Sequence, residues 1–152
     1  MQKIVFICHG NICRSPMAEY VFADLVKKAG KGAEFSVSSA AVSYEEIGND
    51  VYPPAKRVLA AKGVPCPPRG AHRITAKEAE EADLLLCMDH SNLYRLKSIS
   101  PAAAEKARLL GEFGLGGKEI EDPWYTGNFE RVYEEIALCS EELLRVLAGE
   151  GK

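Results

Sequence analysis

Residues 6–16 read FICHGNICRSP: two cysteines, a glycine, an asparagine and an arginine between an apolar run and a Ser-Pro pair. Binding a phosphate group needs backbone N–H groups aimed at one point, a positive helix end and a fixed cation. A short loop entering a helix supplies the first two. Gly10 permits close backbone approach, and Asn11 is among the few residues that tolerate left-handed backbone. Arg14 carries a planar fork able to hold two oxygens at once. The same surroundings act on Cys8. A cysteine pKa of about 8.5 falls to roughly 3.5–7.5 beside helix N-termini and cations. Cys8, at the end of the apolar run, is therefore a candidate thiolate nucleophile pointing into a phosphate cradle.

Spacing alone does not carry this reading. With five cysteines and eight arginines in 152 residues, a Cys-x5-Arg match arises by accident with about one chance in four. Cys139 and Arg145 form such a match, but inside an amphipathic helical stretch that holds Glu141 and Glu142 and no glycine. Around Cys8, by contrast, strand, Gly-Asn loop and helix start all agree.

The elements that must position the loop follow from periodicity. Lys3–Cys8 is a β-branched apolar run of the kind buried on both faces of a parallel sheet. Ser15-Pro16 starts a helix, because proline suits the first helical position, and Met17, Tyr20, Val21, Leu25 and Val26 continue it to Gly30. Phe35–Ser39 is a second strand, and Ser43–Pro54 a loop leading into a helix that stops at Gly63. A proline-containing connection, Pro65–Arg73, precedes a short acidic helix at Ala76–Ala82. Asp83–Met88 repeats the buried-strand pattern, His90–Ser98 makes one or two helical turns, and Ala107–Leu110 is a fourth strand. Gly111–Asp122 reads as a flexible loop; its glycines and Lys118 miss the nucleotide-binding spacing by one residue, with no Ser or Thr following. Asn128–Leu147 is a long amphipathic helix with Phe129, Val132, Ile136, Leu143 and Leu147 near one face. The expected fold is α/β: a single domain over residues 1–152, with a four-stranded parallel sheet, helices on both faces and the phosphate-binding loop after the first strand. Such folds bind ligands beyond the carboxyl ends of their strands.

Composition narrows the function classes. The chain is 47% hydrophobic and 27% charged, with a net charge of −3, so neither a nucleic-acid nor a membrane partner is expected. No apolar stretch is long enough to span a bilayer, and a cytoplasmic monomer without cofactor is the simplest expectation. Five cysteines (8, 13, 66, 87 and 139) lack the spacing of a disulfide framework, and His9, His72 and His90 do not fall at metal-ligand spacing. Cys66, Cys87 and Cys139 read as buried fillers.

The run from Cys8 to Pro16 resembles the signature of the low molecular weight protein tyrosine phosphatases. The resemblance continues through SSAAVS (38–43), EIGN (46–49), LLLCMDHSN (84–92) and EDPWY (121–125), so it covers nearly the whole chain. It implies that Cys8 attacks phosphorus to form a phosphocysteine while Arg14 clamps the phosphoryl oxygens. The amides of His9, Gly10, Asn11, Ile12, Cys13 and Arg14 complete the cradle. By the same resemblance Asn11, Ser15 and Ser39 brace it, and a phosphotyrosine-containing protein is the expected substrate. Asp122 matches the general acid. Chemistry asks for such an acid, since a phenol has a pKa near 10, but taken alone Asp122-Pro123 reads as an ordinary turn. Among the other aspartates, Asp24 sits in a helix, Asp50 before a proline-rich loop and Asp83 at a strand start; Asp89 reads as structural. Trp124 and Tyr125, with Tyr44, are expected to wall the substrate ring. Cys13 is either a filler or, as in the family, a resolving thiol for oxidised Cys8.

The chain departs from the family at two places. Glu45 stands where an aromatic is usual, and Arg69 where a histidine is usual, with His72 three residues on. Related activities use similar cradles. Protein-arginine phosphatases typically carry threonine where this chain has Ile12, whose bulk favours tyrosine. Arsenate reductases need a cysteine relay, for which Cys66 and Cys87 are too widely separated in sequence. A non-catalytic phosphoprotein-binding module would have lost Cys8 or Asp122.

Overall fold

The computed structural model describes residues 1–149; the last three residues of the expected domain lie outside it. Four strands form one all-parallel sheet in the order β2-β1-β3-β4: β1 Gln2–Cys8, β2 Phe35–Ala41, β3 Leu84–Cys87 and β4 Ala107–Leu109. β1 pairs over its whole length with β2, Gln2 opposite Phe35 and Cys8 opposite Ala41. Its alternation then divides the core. Ile4, Phe6 and Cys8 pack with helices α1 (Arg14–Lys28), α2 (Pro53–Ala61) and α7 (Phe129–Leu147) on one face. Val5 and Ile7 pack with α3 (Ala76–Glu81), α4 (His90–Ile99) and α5 (Pro101–Lys106) on the other. A strand sealed on both sides needs apolar residues at every position, which is why the KIVFIC run lacks polar alternation.

β1 has β2 on one side and β3 on the other, so the loops leaving β1 and β3 diverge at the switch point where such sheets bind ligands. Cys8 closes β1 at the first of those loops, and Asp89 lies in the second. No described helix is long and apolar enough to cross a membrane.

Several boundaries differ from the sequence expectation, each for a local reason. β2 runs two residues past Ser39, because Ala41 is held by exchange with His72 and Ile74 as well as by β1. β3 starts at Leu84 rather than Asp83, whose carboxylate accepts from Lys3 N at 2.7 Å and pins the strand start. The helix after β3 spans ten residues, not one or two turns, because Asp89 and Asn92 form a reciprocal capping box. α5, absent from the sequence reading, is nucleated by Ser100 at its N-cap and Pro101 at its first position. β4 ends at Leu109, and Leu110–Glu112 is a 3-10 turn. Gly111–Lys118 is a closed turn: a Cβ at Gly111 would lie 1.7 Å from Lys118 O, so only glycine fits.

Candidate active site

Cys8 ends β1, and the loop to α1 wraps back over its sulfur. Asn11 N donates to Cys8 Sγ at 3.3 Å, and Ser15 Oγ lies 3.0 Å from it. Asn11 has φ 61°, the one non-glycine residue at positive φ among those described. Asparagine tolerates that geometry, and here the side chain fastens it. Asn11 Nδ2 donates to Ser15 Oγ at 2.8 Å and Ser39 Oγ at 3.0 Å. Asn11 Oδ1 accepts from Arg69 Nη2 at 2.5 Å and His72 N at 3.3 Å, which fixes the orientation of the amide. With the amide hydrogens spent on two serine oxygens, each hydroxyl hydrogen is free to point onward. Ser39 donates to Glu19, and Ser15 is left to face the sulfur. Burial raises the Glu19 carboxyl despite the opposing hydrogen bond from Ser39.

The helix after the loop offers its N-terminus without competition. Cys13, at the N-cap, makes no side-chain cap, and no acidic residue sits in the first turn of α1. Its first N–H groups are thus left for an anion.

Arg14, the first residue of α1, is buried, with its side chain 3% exposed. Nη1 donates to Asp89 Oδ2 at 2.7 Å and to Ile120 O at 2.9 Å; Nη2 lies 3.6 Å from Asp122 Oδ2. Burial alone would lower its pKa, but Cys8, Asp89 and Asp122 together leave it above the ordinary value. Asp122 is itself an N-cap: its Oδ1 accepts from Trp124 N at 3.0 Å and starts the short helix α6, Pro123–Thr126. One carboxylate oxygen shapes the loop while the other faces the guanidinium.

These residues surround one cleft. Cys8 and Arg14 line it together with the loop residues His9, Gly10, Ile12 and Cys13; the walls are Asp122, Trp124 and Tyr125 on one side and Glu45 and Glu46 on the other. Its volume is ≈ 130 Å³, below the roughly 300–1,000 Å³ of drug-sized pockets. Tyr44, expected in the ring pocket, does not line it. The Arg73 guanidinium stacks on the Tyr44 ring at 4.4 Å, and Glu45 takes the wall instead, paired with His9. The Glu45 carboxyl is held low by that imidazole. Trp124 is backed by Tyr52, ring centroids 4.6 Å apart. Arg69 stands in the place of a usual histidine and still braces Asn11.

Cys13 is buried beside Cys8, and both are free thiols. Burial, then Cys8 and Asp122, push the Cys13 thiol well above its usual range. Cys87 and Cys139 are fully buried and Cys66 half-buried. Among the described residues no group of three His, Cys, Asp or Glu side chains is arranged to hold a metal ion. Sequence reasoning missed Glu19, Glu46, Tyr52 and the Arg14 partner role of Asp89. The only local signal was the Asp89-x-x-Asn92 spacing of a capping box.

The chain is similar to known proteins over nearly its whole length. The family model for low molecular weight phosphotyrosine protein phosphatase matches residues 3–152. The human low molecular weight phosphotyrosine protein phosphatase is 36% identical over 149 residues, covering 94% of each chain. YfkJ from Bacillus subtilis superposes with a TM-score of 0.93 at 30% identity, over 100% of this chain and 98% of that one. The YwlE arginine phosphatase superposes with a TM-score of 0.88 at 25% identity, covering 99% and 98%.

Proposed function

The chain belongs to the low molecular weight phosphotyrosine protein phosphatase family, and from that membership we propose that it hydrolyses phosphotyrosine in proteins through a phosphocysteine on Cys8. In the first step Cys8 Sγ bonds to phosphorus as the phosphorus–phenol oxygen bond breaks, and Asp122 gives its proton to the leaving oxygen. In the second, water attacks the phosphocysteine, Asp122 takes a proton from it, and the sulfur–phosphorus bond breaks to release inorganic phosphate. Arg14 and the loop amides hold the three equatorial oxygens throughout, where charge accumulates.

One observation carries the assignment: a cysteine sulfur that accepts a loop N–H, at the mouth of an uncapped helix, shares a cleft with a buried arginine and an aspartate facing that arginine. Nucleophile, clamp and acid are the three parts that the reaction needs. Ile12 lines the cleft, and its bulk, where protein-arginine phosphatases typically carry threonine, supports an aryl rather than a phosphoarginine substrate.

The test is hydrolysis of p-nitrophenyl phosphate and of phosphotyrosine peptides. Wild type should turn over both in the presence of EDTA. Cys8→Ser should abolish turnover while still binding vanadate. Retained hydrolysis in Cys8→Ser would remove the covalent mechanism, and hydrolysis of phosphoarginine in preference to phosphotyrosine would reassign the substrate.

A further inference from the structure

A second groove adjoins the active-site cleft, and Ile12, Glu46 and Trp124 line both. Tyr52 and Pro53 extend its apolar lining toward the start of α2. Its charges are unequally matched. Lys56 is paired with Asp50, whose other oxygen accepts from Val51 N at 2.7 Å and Arg69 N at 3.3 Å. On the same wall of the cleft, Glu45 hydrogen-bonds the His9 ring. Glu46 has only the Asn49 amide, at 2.5 Å, and among the described residues no cationic nitrogen within 4.0 Å. The groove therefore carries one uncompensated negative charge at its junction with the cleft, above an aliphatic and aromatic lining.

We propose that this groove receives a lysine or arginine side chain next to the phosphorylated tyrosine of the substrate, with Glu46 as the residue that selects it. The inference rests on the phosphotyrosine reading and specifies its substrate class. A basic side chain is amphipathic, and its methylene stem suits Ile12 and Pro53. Its cation would lie near Glu46 and near the faces of Trp124 and Tyr52, whose rings stand 4.6 Å apart. Successive residues of a peptide lie 3.80 Å apart at their Cα atoms, so a neighbour of the tyrosine reaches across a wall one side chain thick. An acidic side chain finds no free cation there, because Lys56 is already taken by Asp50.

The experiment compares phosphotyrosine peptides that differ only in Lys, Ala or Glu placed directly before or directly after the tyrosine. In wild type, kcat/KM should favour Lys over Glu on at least one side by about five-fold at low ionic strength, the scale of one half-exposed ion pair. The preference should shrink as salt is raised to 0.5 M. Glu46→Gln should bring the Lys:Glu ratio to near one, and Glu46→Lys should invert it. Because each ratio is taken within one enzyme, a general loss of activity cancels. Equal turnover of all peptides by wild type, or a ratio unmoved in both variants, would overturn the proposal and leave the phosphatase reading intact. Failure of wild type to hydrolyse any of the peptides would overturn the phosphatase reading, and the specificity with it.

Discussion

Asp89 divides its carboxylate between two tasks: Oδ1 accepts from Asn92 N at 2.9 Å to cap α4, and Oδ2 accepts from Arg14 Nη1 at 2.7 Å. Helix start and guanidinium orientation are thereby tied to one side chain across the switch point of the sheet. Asp122 repeats the arrangement from the other side, capping α6 and facing Arg14 Nη2. The Arg14 guanidinium is aimed by two helix caps.

Replacing Asp89 should therefore cost both fold and function. Asp89→Ala removes an N-cap, worth about 1 kcal/mol, and frees a buried guanidinium to turn. Urea unfolding should register the first. The second should appear as a fall in kcat/KM of about ten- to a hundred-fold, the scale of a misplaced catalytic group, and it should be similar for good and poor leaving groups. Unchanged vanadate affinity in Asp89→Ala would show that Ile120 O and Asp122 suffice to hold Arg14.

Asn11 separates backbone strain from hydrogen bonding. Asn11→Gly keeps access to φ 61° but loses the amide that joins Ser15, Ser39, Arg69 and His72. A loss of about 2–3 kcal/mol is expected from several buried hydrogen bonds. Asn11→Ala should lose a further 1–2 kcal/mol or so, because an alanine Cβ resists left-handed backbone. Equal stabilities of the two variants by urea denaturation would mean that the loop relaxes to negative φ without its amide.

Much of this site was legible in the sequence, and the limits of that legibility are physical. The cradle could be read because its parts are contiguous: strand end, Gly-Asn turn, arginine and Ser-Pro helix start lie within nine residues. The partner role of Asp89 could not, since it depends on β3 lying beside β1, a pairing that no local pattern encodes. Tyr44 was misplaced because neighbouring residues on a turning loop point apart. Arg73, approaching from the far side of β2, draws the tyrosine ring away and leaves Glu45 on the cleft wall. The short helices α5 and α6 escaped periodicity altogether, being six and four residues long.

Cys13 is proposed as the resolving thiol for oxidised Cys8. Peroxide would convert the Cys8 thiolate to a sulfenic acid, and attack by the Cys13 thiolate would expel hydroxide and close a disulfide that a dithiol reopens. Burial raises the Cys13 thiol, so only a small fraction is ionised near neutrality. Below that raised pKa, the trapping rate should climb about ten-fold per pH unit. Peroxide-treated wild type should regain activity with dithiothreitol, and more completely after exposure at pH 8.5 than at pH 6.5. Cys13→Ser should be inactivated irreversibly. Equal recovery in wild type and Cys13→Ser would make Cys13 a packing residue only.

Asp122 gives the sharpest test of the reaction, because two substitutions separate its two roles. Asp122→Asn keeps an oxygen that can cap Trp124 N, as asparagine is among the best N-cap residues, but it has no proton to give. Asp122→Ala loses both. An acid matters most when the leaving oxygen is basic, and general acid–base assistance is worth about 10²–10⁴-fold. Both variants should therefore slow phosphotyrosine by about that factor and lose the basic limb of its kcat profile. For 2,4-dinitrophenyl phosphate, whose phenol departs without a proton, Asp122→Asn should stay near wild type in kcat/KM, which reports the transfer to Cys8 and not the later hydrolysis. Asp122→Ala should show a small additional loss as α6 loosens beside the cleft. Vanadate binding should survive in both, since Arg14 keeps Asp89 and Ile120 O. Should Asp122→Asn instead lower kcat/KM equally for both substrates, Asp122 would be a loop-shaping residue. Asp89 could not then inherit the acid's role, because both its oxygens are already engaged.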